Sequence, residues 1–406
     1  MNSPYISFNK NSQAWTFISF SEAFEFLNNK AISRGDLNYQ EGSIKCIHYG
    51  DILTKFPQIL DSSSPLLPYV NDDVDVENVS TLKTGDIVIA DTAEDYAVGK
   101  SIEVSITGDS KVIAGLHTMS CRPKMNFASG FLGYYINSTA YHGQLRRLVT
   151  GTKVYAINKS EIRKTNLHFP CVEEQQKIAA FFTAFDEKIC IVNKKLFQIE
   201  LMKKAWIQHF MDKSKVNSDE WKNVLLKNIC TSFSGGTPST TNKKYYIGDI
   251  PLIRSGEIHS EKTELFISDA ALKESSAKMV KKGDVLYALY GATSGECALS
   301  KIEGAINQAI LCIRPKADGL IDPQFLVELL AFNKNKILAR YLQGGQGNLS
   351  GQLVMGLELC IPSYSEQERF SLIVGEINKK TQLLKQKINC LNRQKKPSCN
   401  KCSSDF

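Results

Sequence analysis

The sequence repeats itself once, and this duplication limits the fold more than any single motif. Trp15 opens a segment matched by one at Trp221, and Ile47-His48-Tyr49-Gly50-Asp51-Ile52 is matched by Ile253-Arg254-Ser255-Gly256-Glu257-Ile258, both at an offset of 206. Lys83-Thr84-Gly85-Asp86-Ile87 matches Lys281-Lys282-Gly283-Asp284-Val285 at 198, and Phe131-Leu132 matches Phe325-Leu326 at 194. Arg122-Pro123-Lys124 matches Arg314-Pro315-Lys316, and Pro170 with Glu174-Gln175 matches Pro362 with Glu366-Gln367, both at 192. Matches in one order with slowly drifting offsets imply two homologous domains. The period is far too long for a solenoid.

Each copy ends in a heptad pattern. After Pro170 the apolar positions are Ile178, Phe182, Phe185, Ile189, Val192, Leu196 and Ile199, with Met202, Trp206 and Phe210 continuing with some slippage. After Pro362 they are Phe370, Val374, Ile377, Thr381, Leu384, Ile388 and Leu391, each 192 after its counterpart. Alternating spacings of four and three form the seam by which one long helix packs on another. Lys177, Glu187, Lys188, Lys194, Lys195 and Glu200 supply a solvated outer face. Ser363 and Glu366 read as a capping box at the second start.

Two seams of equal length most economically pack on each other. The second globular domain lies between them in sequence, so antiparallel packing is expected. A first helix over roughly residues 173–211 would span about 58 Å at about 1.5 Å per residue. Such a spacer suits two readers of half-sites about 34–36 Å apart on DNA. Packing of each helix on its own domain, or on a second chain, is the alternative. The expected fold class is α+β, with two homologous globular domains separated by two long antiparallel coiled-coil helices. The boundaries are 1–169, helix 170–212, 213–361, helix 362–396, and an atypical tail 397–406, because Pro397 is expected to stop the second helix.

Within the halves, Ile87–Ala90 and 285–289 read as matching buried strands after a Lys-x-Gly-Asp turn, and 131–138 and 323–336 read as helices, the latter capped at Asp322-Pro323. Polar, Gly-rich, basic segments interrupt these elements, including 234–240, 291–295 and 344–348. The net charge is +7, from 49 Lys and Arg against 42 Asp and Glu, which permits a nucleic-acid partner without establishing one. Arg and Lys reach phosphates and guanine edges, while Asn and Gln pair with adenine. The candidate DNA contacts are therefore Arg34, Lys45, His48, Tyr49, Arg146, Lys243, Lys244, Tyr246, Arg254, Ser255, Thr293, Gln346 and Asn348. His48-Tyr49 and Arg254-Ser255 occupy equivalent positions with different chemistry, as two readers of different sequences would. Arg122 and Arg314, next to Pro in a shared turn, read as structural.

No phosphate-binding loop, methyl-donor loop, nucleophile elbow or paired-His zinc helix is present, so no catalytic residue and no metal site are assigned. Asn2-Ser3-Pro4-Tyr5 lacks the second Pro of an adenine-methyltransferase motif. Cys399 and Cys402 have C-x-x-C spacing without a second pair or a nearby His. The 11 cysteines sit mostly in apolar runs, consistent with reduced thiols, and no segment looks like a secretory signal or a membrane span. A soluble, cytoplasmic protein is expected.

The segments Pro170…Glu174-Gln175-Gln176-Lys177-Ile178 and Pro362…Glu366-Gln367 resemble the P-x-x-x-E-Q-x-x-I signature of specificity subunits of Type I restriction-modification systems. The stretches 234–239 and 250–258 resemble the opening of their target-recognition domains. The resemblance covers residues 15–396. It implies two target-recognition domains on spacer helices that dock two modification (methyltransferase) subunits, with restriction subunits added for cleavage, at a bipartite double-stranded DNA target. It also implies no cofactor in this chain, with S-adenosylmethionine, ATP and Mg on the partners. A coiled-coil scaffold, or a tail-altered subunit that reads no DNA, is the alternative.

Overall fold

The computed structural model describes residues 15–151, 153–212, 220–341 and 348–400. The chain divides into two compact units: residues 1–194 with 386–406, and residues 195–385. Each long helix therefore starts in one unit and ends in the other: Val172–Asp212 in the first copy and Tyr364–Asn400 in the second.

The first unit is built on a mixed sheet in the order Phe24–Phe26, Thr118–Pro123, Ile87–Ala90, Ser101–Ser105, Ile59–Asp61. A second sheet runs Lys111–Ala114, Ile44–Ile47, Tyr69–Val70, Leu37–Asn38, with its first two strands parallel. The second unit repeats this plan. One sheet runs Cys230–Ser234, Ile310–Pro315, Val285–Ala288, Cys297–Leu299; the other contains Ile250–Ile253 parallel to Gly304–Ile306. A two-stranded ribbon closes each copy, Thr16–Ser19 with Asn166–Phe169 and Lys222–Leu225 with Glu358–Ile361. The duplication seen in the sequence is a duplication of topology.

The matched motifs carry this frame. Ile87–Ala90 and Val285–Ala288 are buried at every position, the pattern of a strand covered on both faces. Each follows a turn whose Gly85 or Gly283 has φ 89°, a conformation glycine adopts without steric cost. The turn's aspartate closes it, with Lys83 N–H donating to Asp86 Oδ2 at 2.7 Å and Lys281 N–H to Asp284 Oδ2 at 2.7 Å. The same carboxylates take Arg122 through Nε at 2.9 Å and Nη2 at 2.7 Å, and Arg314 through Nε at 2.8 Å and Nη2. Both arginines are bidentate structural ties between neighbouring strands.

The Glu-Gln signature at the helix starts also has a mechanical reason. Gln175 is buried; its amide donates to the Pro170 carbonyl at 2.9 Å, and its oxygen accepts from Ala128 N–H at 3.0 Å. Gln367 does the same with the Pro362 carbonyl at 3.0 Å and Asp322 N–H at 3.0 Å. One side chain thus satisfies a carbonyl before the helix and an amide of the domain, stapling the two together.

Both seams are buried or half-buried along Ile178, Phe182, Phe185, Ile189, Val192, Leu196, Ile199 and along Phe370, Val374, Ile377, Leu384, Ile388, Leu391. Within the second unit, Glu200 pairs with Lys385 at 3.2 Å while Trp206 stacks on Phe370 at 5.0 Å. Rising positions on one helix meet falling positions on the other, so the two run antiparallel. In the first unit Asp186 pairs with Lys395.

Two expectations are corrected. Met202 is 68% exposed; the seam passes instead through half-buried Lys203 without slippage, and the Lys203 ammonium pairs with Glu328 at 2.9 Å. Its counterpart 192 residues on, Lys395, lies over the Tyr134 ring and pairs with Asp186. The second helix runs to Asn400, past the expected stop at Pro397. Proline there removes the amide that would reach the Arg393 carbonyl and crowds that carbonyl, but it does so close to the helix end, where little helix remains to be interrupted. Residues 1–14, including Asn2-Ser3-Pro4-Tyr5, and Cys402 lie outside the described residues.

Candidate nucleic-acid interface

In each unit the loops that follow the parallel strands are tied into one rim by backbone hydrogen bonds. In the first unit Gly115 N–H donates to the Ile47 carbonyl, Asp91 N–H to His117, and Ile157 N–H to Asp91. In the second, Asn307 N–H donates to Ile253, Leu289 N–H to Ala309, and Leu349 N–H to Leu289. The same three bonds recur at equivalent positions, so the frame of the rim is common and the side chains on it are not.

The rim of the first unit gathers Arg34, His48, Tyr49, Thr92 and His117. His48 caps the short helix Tyr49–Thr54, its Nδ1 accepting from Gly50 N–H at 3.2 Å. Burial and the neighbouring Arg34 guanidinium push its pKa down, which favours the neutral imidazole. Arg34 reaches across to Asp51 at 2.8 Å, and Lys55 meets the same buried carboxylate at 3.1 Å. Tyr49 lies edge-on to His117, with ring centroids 5.1 Å apart.

Next to this group, Tyr155 of the ribbon Thr92–Ala93 with Tyr155–Ala156 meets the Tyr96 ring, with centroids 4.8 Å apart and planes tilted by 30°. Arg146 lies over Tyr96 at 6.0 Å. Tyr96 is 57% exposed, so the pair offers an aromatic face beside a guanidinium. Aromatic and basic groups at one surface suit nucleic-acid contact.

The rim of the second unit is different. Arg254, at the position of His48, is clamped by two carboxylates: Glu257 through Nε and Nη2, each at 3.1 Å, and Glu264 at 2.6 Å. The acid of the shared Gly-Asp/Glu-Ile motif therefore holds an arginine in both copies, one supplied from position 34 and one from position 254. Ser255 opens the 3-10 turn Ser255–Glu257. Thr237 donates to Gln308, and Gly235 lies so close to the Ile306 carbonyl that an added Cβ would sit 1.7 Å from it. Glycine there is required for packing of the loop.

The remaining sequence candidates are scattered about these rims. Lys243 and Lys244 project from the 3-10 turn Lys243–Tyr246 and form no ion pair among the described residues. That turn is fastened to the glycine-rich loop by the Tyr246 hydroxyl donating to the Pro238 carbonyl at 2.7 Å. Thr293 is half-buried, its carbonyl accepting from Glu296 N–H at 2.9 Å. Asn348 is exposed just before Leu349, and Gln346 lies outside the described residues. Lys45 points away from the rim; its ammonium donates to the Ser62 carbonyl at 2.7 Å and lies over the Tyr69 ring. The sequence reading missed His117, Tyr96, Tyr155 and Gln308. The offset of 192 that aligned Arg122 with Arg314 sets His117 opposite Ala309, and that contrast was a usable signal.

The clamp has a pH signature. Burial opposes ionisation of Glu257, but the Arg254 guanidinium and two backbone amides hold its carboxyl at about 2. A folded-state value below the ordinary 4.5 stabilises the protein above pH 4.5, and that stabilisation is lost as pH falls toward 2. Arg254→Met is expected to flatten the fall of melting temperature in this window. An unchanged acid limb in the variant would show that Arg254 does not set the Glu257 titration.

Comparison with known proteins places this frame. A family model described as the Type I restriction modification DNA specificity domain matches residues 12–201 and again 218–393, and the chain belongs to that family. Members of the family are the target-recognition component of such a system, not its catalytic one. The chain is 30% identical over 188 residues to the Type I restriction enzyme MjaIX specificity subunit of Methanocaldococcus jannaschii, a match covering 43% of this chain and 42% of that relative. The crystal structure of the Type-I restriction-modification system S subunit from M. genitalium superposes with a TM-score of 0.64 at 14% identity over the whole of both chains. A structure describing complex assembly and conformational transition of the type I R-M system gives 0.57 at 17%, covering 97% of this chain and 98% of that one. At these identities the likeness shows the fold. Among the described residues, no group of three or more His, Cys, Asp or Glu could hold a metal, and no helix is long and apolar enough to cross a membrane.

Proposed function

We propose that this chain reads a bipartite double-stranded DNA target, one half-site per unit, and directs modification (methyltransferase) subunits to it, with restriction subunits joining the same complex. The observation that carries this reading is the repeated rim: three equivalent backbone hydrogen bonds hold it in each unit, while the positions of His48, Tyr49 and His117 in one copy are occupied by Arg254, Ser255 and Ala309 in the other. A fixed frame with exchanged side chains is what two sequence readers need. Exposed Phe197 and Met202 on the outer face of the first long helix support docking of a partner there. S-adenosylmethionine, ATP and Mg belong to the partner subunits.

The test is a genome-wide map of N6-methyladenine in cells carrying this chain with a modification subunit. A two-part motif is expected that disappears when this chain is deleted. An identical methylation map with and without it would refute the reading.

A further inference from the structure

We propose that His117 is a specificity-determining residue of the first unit, offering the lone pair of its Nε2 to an amino group on a base edge. The inference rests on the DNA-reading role proposed above. His117 has φ 52°, a left-handed backbone that L side chains rarely adopt and that clusters at functional sites when the surrounding structure enforces it. Three segments enforce it here. Its carbonyl accepts from Asp91 N–H at 3.1 Å, and Leu116 before it donates to the Ile32 carbonyl and accepts from Tyr49 N–H.

The ring is also oriented. Nδ1 lies 3.3 Å from Asp91 Oδ1 and 3.3 Å from Thr92 Oγ1, while Thr92 Oγ1 donates to the same Asp91 oxygen at 2.8 Å. An ionised carboxylate only accepts, so Nδ1 carries the ring proton. In the neutral ring this leaves Nε2 as an acceptor. Tyr49 packs against the ring at 77° between planes, which fixes its tilt. The side chain is still 46% exposed, and no described residue is bonded to Nε2. A rigid acceptor on the rim matches the exocyclic amino groups that adenine and cytosine show in the major groove. The equivalent position in the second unit is Ala309, which has no polar group, so the feature belongs to one reader alone.

His117→Gly separates the roles, because glycine adopts φ 52° freely and loses only the ring. His117→Asn, which also tolerates this backbone, is the second variant. Methylation is mapped in cells carrying each variant with the modification subunit, beside the unmodified chain. One position in one half of the motif is expected to lose its preference by about five- to 150-fold, the ratio that one mismatched base pair in a site typically carries. The other half-site and the melting temperature should stay as they are. An unchanged motif in both variants overturns the role of His117 while the DNA-reading role stands. Equal loss at every methylated site in a folded variant also overturns it, since that marks a contact indifferent to sequence. Absence of any two-part motif with the unmodified chain overturns the DNA-reading role, and this inference with it.

Discussion

Phe370→Ala is expected to lower the stability of the second unit by about 3–5 kcal/mol, the usual cost of emptying a buried phenylalanine site. Phe370 is 1% exposed and meets three rings: Trp206 at 5.0 Å, Phe210 at 4.6 Å and Phe325 at 5.4 Å. Trp206 and Phe210 belong to the first long helix, Phe325 to the helix Pro323–Tyr341, and Phe370 to the second long helix. One side chain thus joins three helices. Contacts between rings add roughly 0.5–1.5 kcal/mol beyond area alone. A domain commonly has only about 5–15 kcal/mol in all, so the loss consumes a large share of it. Urea unfolding of the full chain measures it. The position 192 residues earlier is Ile178, also buried but aliphatic, and Ile178→Ala is expected to cost less. A Phe370→Ala shift under about 1 kcal/mol would mean that the helices are held elsewhere.

Helices and their seams were legible in the sequence because α-helical geometry turns packing into spacing. A residue every three or four positions is either on the seam or off it, and the buried positions fall where the spacing put them. Where the reading slipped, at Met202, it preferred the apolar residue. The structure puts Lys203 on the seam because Glu328 waits to pair with its ammonium, and a partner 125 positions away is invisible to a local pattern. The signature glutamines were noticed as a motif, but their role as staples depends on Ala128 and Asp322 lying opposite them.

The recognition surface was less legible for the same reason. Residue type said that Arg254 and Lys45 could meet DNA. Their distances say that Arg254 is engaged by Glu257 and Glu264, and Lys45 by the Ser62 carbonyl. Position in the repeat was the better guide. His48 and Arg254 do lie on equivalent loops, and the loops meet at one rim in each unit. The repeat also preserves a bond while changing its source. Asp322 caps the helix Pro323–Tyr341 by accepting from Phe325 N–H at 2.8 Å. In the first unit Gly130 precedes the equivalent helix and has no such side chain, so Glu103 reaches over from a strand to accept from Gly130 and Gly133 N–H. Burial pushes the Glu103 carboxyl up, and these amide bonds oppose the shift. Selection for satisfied helix amides leaves no trace at a fixed sequence position.

Arg122→Ala is expected to cost about 3–5 kcal/mol, because it leaves the Asp86 carboxylate buried without its partner. The equivalent change, Arg314→Ala, should cost less, about 1–3 kcal/mol. The two pairs share their geometry and differ in access to water. Asp86 has a side-chain exposure of 1% and Arg122 25%, against 12% and 37% for Asp284 and Arg314. An abandoned charge that can hydrate is less destabilising than one that cannot. Replacing both members of the first pair, as in Asp86→Leu with Arg122→Met, should recover most of the loss, since neither charge is then stranded. It should not recover all of it: Lys83 N–H loses its acceptor at 2.7 Å, a hydrogen bond of about 1 kcal/mol. Denaturant midpoints of the three variants decide the matter. Equal losses for the two single variants would place their cost in the packing of the arginine stems instead of in the stranded carboxylate. The strand Ile87–Ala90 that Asp86 anchors leads directly into Asp91 and Thr92, which orient His117, so rim geometry in the first unit should loosen in the Arg122 variant.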